Sequence, residues 1–111
     1  MYTFGDLLRG HTDMLILSVL DKKDSYGYLI NKKIEGLTDG QFSLSEATLY
    51  TSFKRLLKMG YLTTYWIESE SRKKRKYYSI TLTGIIRLKK QKEDWLLLSD
   101  VINKIIWNKR P

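Results

Sequence analysis

Five consecutive cations, Arg72-Lys73-Lys74-Arg75-Lys76, are the residues of this sequence with the clearest chemical potential. Like charges this close repel one another, and a polyanion such as DNA would stabilise them far more than water does. The alternative is a charged turn that protects strand edges from aggregation. On the first interpretation, the residues that bind phosphate are Arg72, Lys73, Lys74 and Lys76.

A second set of candidate residues lies upstream, on one side of a helix. Leu49, Phe53 and Leu56 mark the apolar side. The other side carries residue types that contact DNA, since threonine and arginine bind base edges and lysine neutralises phosphate. An ordinary solvated face is the alternative, but the nearby basic run favours DNA. We predict groove contacts for Thr48, Thr51 and Arg55, and phosphate contacts for Tyr50 and Lys54.

The composition limits the classes of function. A chain of 111 residues with a net charge of +8 suits one small domain with an anionic partner. It has no cysteine and one histidine, so familiar zinc spacings cannot be assembled. We therefore predict no enzyme activity, no metal and no cofactor. The apolar run Met14–Leu20 is shorter than the about 20 residues that span a bilayer, so we expect a cytoplasmic protein with no membrane partner.

Three helices are predicted in the first half of the chain. Apolar residues crowd two sides of a first helix over residues 7–20. Ser25 is the candidate N-cap of the second helix. Either Ser43 or Ser45 caps the third, which carries the candidate DNA contacts.

The second half of the chain predicts a hairpin and a long helix. Aromatic and β-branched residues indicate strands over 61–67 and 75–81, and a final helix covers about 83–107. This order predicts a mainly α fold with a small β-hairpin, the layout of a winged helix-turn-helix. We divide the chain into a winged-helix domain over 1–82 and a dimerisation helix over 83–111.

Apolar residues of the last helix recur at heptad spacing. So small a domain has little surface of its own to cover them, and the alternative is that the helix folds back. Pairing about a two-fold axis would place two recognition helices on one face of DNA, so we expect a palindromic operator. The residues predicted to form the homodimer are Leu88, Trp95, Leu98, Ile102 and Ile105.

Several short motifs give the sequence a family likeness. They are Glu46-Ala47-Thr48-Leu49-Tyr50-Thr51, Phe53-Lys54-Arg55-Leu56, Gly60, Tyr65-Trp66, Arg75-Lys76-Tyr77-Tyr78 and Thr81 with Thr83-Gly84. Together they resemble the PadR-like transcriptional regulators, in particular the short members. The resemblance implies a winged helix, a C-terminal dimerisation helix and repression relieved by a ligand or stress signal. It departs at Thr51, where many members have proline, and at 71–74, where many have glycines.

Trp95 is a candidate ligand-binding residue at the centre of the predicted dimer. Its neighbours in the helix are polar for such a place, and include Gln91. The resemblance implies that Trp95 stacks on flat hydrophobic molecules, with walls completed from the first helix. Lys92 stands where a family member has an aromatic residue, so the ligand's charge stays open, and Trp95 as packing alone is the alternative. The predicted pocket residues are Leu7, Met14, Ser18, Lys92, Trp95 and Ser99.

These features predict a dimeric, DNA-binding transcriptional regulator. We expect a repressor that a small hydrophobic or aromatic ligand releases from DNA, and a planar aromatic molecule is the candidate inducer. The alternative is a winged-helix module that binds protein without specific DNA contact. The polar and basic face of the third helix favours DNA, because a docking face for protein more often exposes apolar anchors. Structured RNA is a weaker alternative, since the aromatics do not form a stacking platform.

Overall fold

The computed structural model describes Leu8 and residues 10–111. In this part of the chain, the order of elements confirms the predicted mainly α fold with a small hairpin. The elements are α1 (Thr12–Lys22), α2 (Gly27–Leu37), α3 (Glu46–Lys58), β1 (Leu62–Glu68), β2 (Lys74–Ile80) and α4 (Leu82–Ile106).

Two predicted helix starts are wrong, and both corrections have a local cause. Gly10 has a φ of 90°, which an α-helix cannot contain, so α1 begins after it at Thr12. Ser25 does not cap α2, because its backbone pairs with Tyr78 and extends the hairpin instead. For α3 the choice falls on Ser45, whose side-chain oxygen accepts a hydrogen bond from the backbone N–H of Thr48.

The core lies where α1, α2, α3 and the hairpin meet. Its centre is formed by side chains no more than 1% exposed, among them Ile16, Ile30 and Phe53. The ring of Tyr78 stacks on Phe53 with centroids 3.8 Å apart, which fixes the hairpin against α3. The hairpin and α3 are therefore packed directly against each other.

The hairpin pairs β1 with β2 in antiparallel register. Trp66 lies opposite Lys76 on the same face as Tyr78, which is buried. On the other face, Tyr65 stacks near Tyr77, with ring centroids 5.7 Å apart. Because side chains alternate between faces, the consecutive cations of β2 point to opposite sides of the wing.

The long helix α4 is divided between two roles. Thr81 caps it, and Leu88 is only 2% exposed among the residues of the core. The prediction that Leu88 lacks partners in its own domain is therefore wrong, because the first part of α4 folds back onto the winged helix. Beyond this point the helix leaves the core, and every apolar side chain from Leu96 to Trp107 is at least 43% exposed.

Candidate nucleic-acid interface

The start of α3 is fixed by an asparagine that sequence analysis did not single out. The side-chain amide of Asn31 donates to the carbonyl of Leu44 at 2.7 Å, and its oxygen accepts from the Leu44 N–H at 2.8 Å. These bonds tie α2 to the loop just before Ser45, so they set where α3 begins. The only signal in the sequence is a polar residue beside the buried Ile30, which is too common to be diagnostic.

The outer side of α3 carries the predicted DNA contacts. All five are exposed, because the helix turns its stripe of Leu49, Ser52, Phe53 and Leu56 towards the core. This leaves hydroxyls and cations facing outwards, which can bind base edges and phosphates. The five residues are Thr48, Tyr50, Thr51, Lys54 and Arg55.

Tyr50 is placed by the close approach of α2. A Cβ added to Gly27, the first residue of α2, would lie 3.2 Å from the Tyr50 hydroxyl oxygen. The Tyr50 ring also meets Phe53 edge-on, with centroids 5.6 Å apart. The hydroxyl is thereby held at the border between α2 and α3, where it can donate to a phosphate.

Arg55 is engaged within the protein rather than free. Its Nε and Nη2 donate to the two carboxylate oxygens of Asp13 at 2.8 and 2.7 Å, and Nη2 also donates to Ser52 at 3.2 Å. The hydrogen bonds to Asp13, followed by its negative charge, raise the pKa of Arg55. The predicted groove contact of Arg55 would therefore require it to leave Asp13.

The wing turn between β1 and β2 needs a left-handed residue. Arg72 has a φ of 62°, and its N–H donates to the carbonyl of Ser69 at 2.8 Å. A glycine meets this requirement without strain, which explains why a glycine-rich tip suits the same turn. This chain has Arg72 at the position instead of a glycine, and so places a cation at the tip although glycine would adopt this φ with less strain.

The cations of the wing divide into exposed and engaged ones. Arg72, Lys73 and Lys74 are exposed. Lys76 is half-buried, with its ammonium 5.8 Å from the centre of the Tyr78 ring, and Arg75 lies 4.5 Å above Tyr26. The three cations at and beside the tip are therefore the freest to bind an anion.

A hydrogen bond at the base of the wing was also missed from sequence. The Tyr65 hydroxyl donates to Asp24 at 2.6 Å, and this bond, with desolvation and the charge of Asp24, raises the pKa of Tyr65 to about 12. The phenol thus stays protonated and able to donate at neutral pH. Together with the pairing of Ser25 to Tyr78, it links the wing to the segment before α2.

The described residues of the predicted ligand site do not all line one groove within a single chain. A groove of about 180 Å³ lies beside Trp95, with His11, Met14 and Gln91 in its wall. The His11 ring meets the Trp95 ring edge-on at 5.2 Å between centroids, and no hydrogen bond within the described residues reaches the buried side-chain oxygen of Gln91. Met14 and Trp95 therefore line the same groove.

The other described residues of the predicted pocket do not line this groove. Ser18 lines a different groove, between α1 and α2, and Lys92 is exposed on α4. Ser99 donates its hydroxyl to the backbone carbonyl of Trp95 at 2.7 Å. Leu7 lies outside the described residues. Among the described residues of a single chain, Met14 and Trp95 are the predicted pocket residues that line one groove.

The groove between α1 and α2 is larger and mostly apolar. Its volume is about 720 Å³, and its wall includes Leu15, Val19, Ile34 and Leu37.

Within the described part of the chain, no helix is both long and apolar enough to cross a bilayer.

Comparison with known proteins shows where this arrangement recurs. The model of the transcriptional regulator PadR-like family matches residues 16–90. A transcriptional regulator from Clostridium thermocellum is similar in structure, with a TM-score of 0.84 and 44% identity, covering 91% of this chain and 98% of that one. A PadR family transcription regulator from Clostridium difficile has a TM-score of 0.75 and 36% identity, covering 87% and 99%. An uncharacterized protein from Lysinibacillus sphaericus is 38% identical, over 89% of this chain and 91% of its own length.

Proposed function

The chain belongs to the PadR-like family of transcriptional regulators, and on this basis we propose that it is a dimeric DNA-binding repressor released by a small hydrophobic or aromatic ligand. The observation that carries the DNA-binding part is the exposed polar and basic side of α3 together with the exposed cations of the wing tip. Stacking of Tyr78 on Phe53 packs the hairpin that carries these cations against α3. A regulator of transcription acts on the chromosome, so we place it in the cytoplasm.

DNA binding is tested by removing two cations of the wing tip. Replacing Lys73 and Lys74 together with alanine should weaken binding to all DNA sequences alike, because phosphate contacts carry no sequence information. The slope of log affinity against log salt should fall by about 1.8 if both bind phosphate. Fluorescence anisotropy with the chain's own upstream region, at several salt concentrations, measures this slope. A double alanine variant of Lys109 and Arg110, in the exposed tail, removes the same charge and should leave the slope unchanged.

The protein-interaction module remains the second candidate function. It is favoured only by exposed apolar residues outside α4, such as Trp66, which is 63% exposed on the wing. Binding of the wild type to its upstream region at physiological salt, with excess competitor DNA, distinguishes the two. If the competitor abolishes binding, the chain has no preference for its upstream region, which would support the protein-interaction module. Binding that persists would be specific and would support the DNA-binding regulator.

The proposed dimer uses the second half of α4. Its exposed apolar side chains from Trp95 onwards would lie on the partner chain, and the groove between α1 and α2 is apolar enough to receive them. Leu88 is excluded from this interface by its place in the core. The proposed contacts are therefore Trp95, Leu98, Ile102 and Ile105. Two-fold symmetry would again require a palindromic operator.

The proposed ligand site requires both chains. The groove of about 180 Å³ beside Trp95 is smaller than the roughly 300–1000 Å³ of sites for drug-sized molecules. A second copy of Trp95 facing it across the axis would complete a site that stacks on both sides of a planar ring. Met14 would form part of the wall, and the free oxygen of Gln91 could accept a hydrogen bond.

Replacing Trp95 with alanine should weaken binding of planar aromatic dyes about tenfold, since stacking on the indole is lost. Leu98, Ile102 and Ile105 should still hold the two chains together, which sedimentation of the variant checks. One cationic and one anionic dye should be titrated, each followed by its own fluorescence because Trp66 and Trp107 also emit. Trp66→Ala removes an exposed indole from the wing and serves as the matched control. Equal dye affinity in wild type and Trp95→Ala would leave Trp95 as a packing residue.

A further inference from the structure

The ion pair between Arg55 and Asp13 has the geometry of an arginine bound to phosphate. Two adjacent guanidinium nitrogens face the two carboxylate oxygens at 2.7 and 2.8 Å. Arginine holds phosphate through the same two parallel hydrogen bonds. The carboxylate of Asp13 therefore occupies the group on α3 that a DNA phosphate would otherwise bind.

We propose that Asp13 competes with DNA for Arg55, so that a phosphate replaces the carboxylate when the protein binds its operator. The proposal rests on the proposed DNA-binding function. It assigns to Asp13 a part in setting DNA affinity, although Asp13 lies on α1 rather than on α3 or the wing.

The exposure of the two side chains makes this exchange feasible. The Arg55 side chain is 52% exposed, against 21% for Asp13, so DNA can reach the arginine while the pair is intact. Arg55 also lines a groove of about 790 Å³ together with Thr48 and Thr51, which places it beside the predicted base contacts. Exposed ion pairs are weak, whereas a phosphate contact releases counterions from DNA, so the exchange can proceed without disturbing the core.

The start of α1 tolerates the charge of Asp13 after Arg55 has left it, but this charge lowers the affinity for DNA. Asp13 lies in the first turn of α1, where the positive end of the helix dipole favours an anion even without Arg55. Once Arg55 has moved to DNA, the charge of Asp13 lies close to phosphates and repels them. The competition for Arg55 and this repulsion both lower the affinity of the wild type for any DNA sequence.

The same turn of α1 borders the groove beside Trp95. His11 and Met14 flank Asp13 and line that groove. The turn that carries Asp13 therefore also forms part of the wall beside Trp95.

A cycle of variants on the full chain tests the proposal. Wild type, Asp13→Asn, Arg55→Ala and the double variant are titrated against DNA from the chain's own upstream region over a range of salt concentrations. Asp13→Asn should bind about fivefold more tightly, since Arg55 is free from the start. Arg55→Ala should reduce the salt slope by about 0.9. Adding Asp13→Asn to Arg55→Ala should tighten binding by clearly less than about fivefold, because only the repulsion by Asp13 is then removed.

A matched control removes a carboxylate elsewhere on the same helix. Asp21 is exposed near the other end of α1, so Asp21→Asn should change affinity less than about twofold. Circular dichroism checks that each variant is folded, and Arg55→Gln replaces Arg55→Ala if the alanine variant unfolds.

Three outcomes would overturn the proposal. If Asp13→Asn and Arg55→Ala both weaken binding with no change in salt slope, the ion pair is a structural brace. If Asp13→Asn tightens binding equally without Arg55, the effect is charge repulsion alone. If the wild type binds no DNA even at low salt, both the proposed function and the competition are refuted. In the first two outcomes the wild type still binds DNA, so the competition is refuted while the proposed function stands.

Discussion

Gly84→Ala should lower the free energy of unfolding by about 3 kcal/mol, the largest stability effect that we expect from a single methyl group. A Cβ at Gly84 would lie 2.3 Å from the carbonyl oxygen of Tyr61 and 2.7 Å from Cγ1 of Ile80. The first obstacle is backbone, which cannot rotate away as a side chain can. The start of α4 would have to move off the hairpin, and the packing of Leu88 would be disturbed with it.

Thermal unfolding at fixed protein concentration measures this effect, and the midpoint should fall by more than about 10 °C. Gly36→Ala is the matched control, because Gly36 lies within α2 and an added Cβ would meet no atom within 4 Å. There the same substitution should raise stability by up to about 1 kcal/mol, through better helix propensity. Equal melting temperatures for wild type and Gly84→Ala would mean that the contact between α4 and the hairpin is looser than described.

Replacing Leu98 and Ile102 together with lysine should convert the protein to a monomer and reduce operator affinity at least about 100-fold. The two side chains are 45% and 43% exposed in the single chain, so lysine is tolerated there. In a dimer, the same positions would bury two charges per chain without partners, which is strongly unfavourable. The affinity falls because one DNA-binding unit can no longer hold the second at its half-site.

Sedimentation at micromolar concentration, together with anisotropy on the operator, measures both effects. Ile86→Lys is the matched control, since Ile86 is 61% exposed on the opposite side of α4 from Leu98 and Ile102. It should remain dimeric and bind as the wild type does. A wild type that sediments as a monomer of 13.2 kDa would refute the dimer, as would a double variant that keeps twice this mass.

The order of elements could be predicted from sequence because it depends on local patterns. The stripe of Leu49, Phe53 and Leu56 lies at helical spacing, and so fixes which side of α3 faces outwards before any partner is known. For the same reason, the exposure of Thr48 and Lys54 was predictable. Strand propensity and a polar turn were sufficient to predict the hairpin. The observed strands begin and end one residue away from the predicted bounds.

Heptad spacing proved ambiguous for the last helix. Leu88 and Ile102 occupy equivalent positions in the repeat, yet one is in the core and the other is exposed. A repeat shows only that a side of the helix is apolar. Whether that side meets its own domain or solvent depends on where the helix leaves the core, which is a tertiary property.

The pairings that position the site were decided by the tertiary structure alone. Arg55 meets Asp13 across 42 residues of sequence, and the separation of Tyr65 from Asp24 is 41 residues. No local pattern specifies such partners, because each depends on how α1, α3 and the hairpin pack. The sequence by itself determined which side chains of α3 face outwards. Packing decided that one of them, Arg55, is already engaged, since a hydrogen bond depends on distance in space and not on residue type.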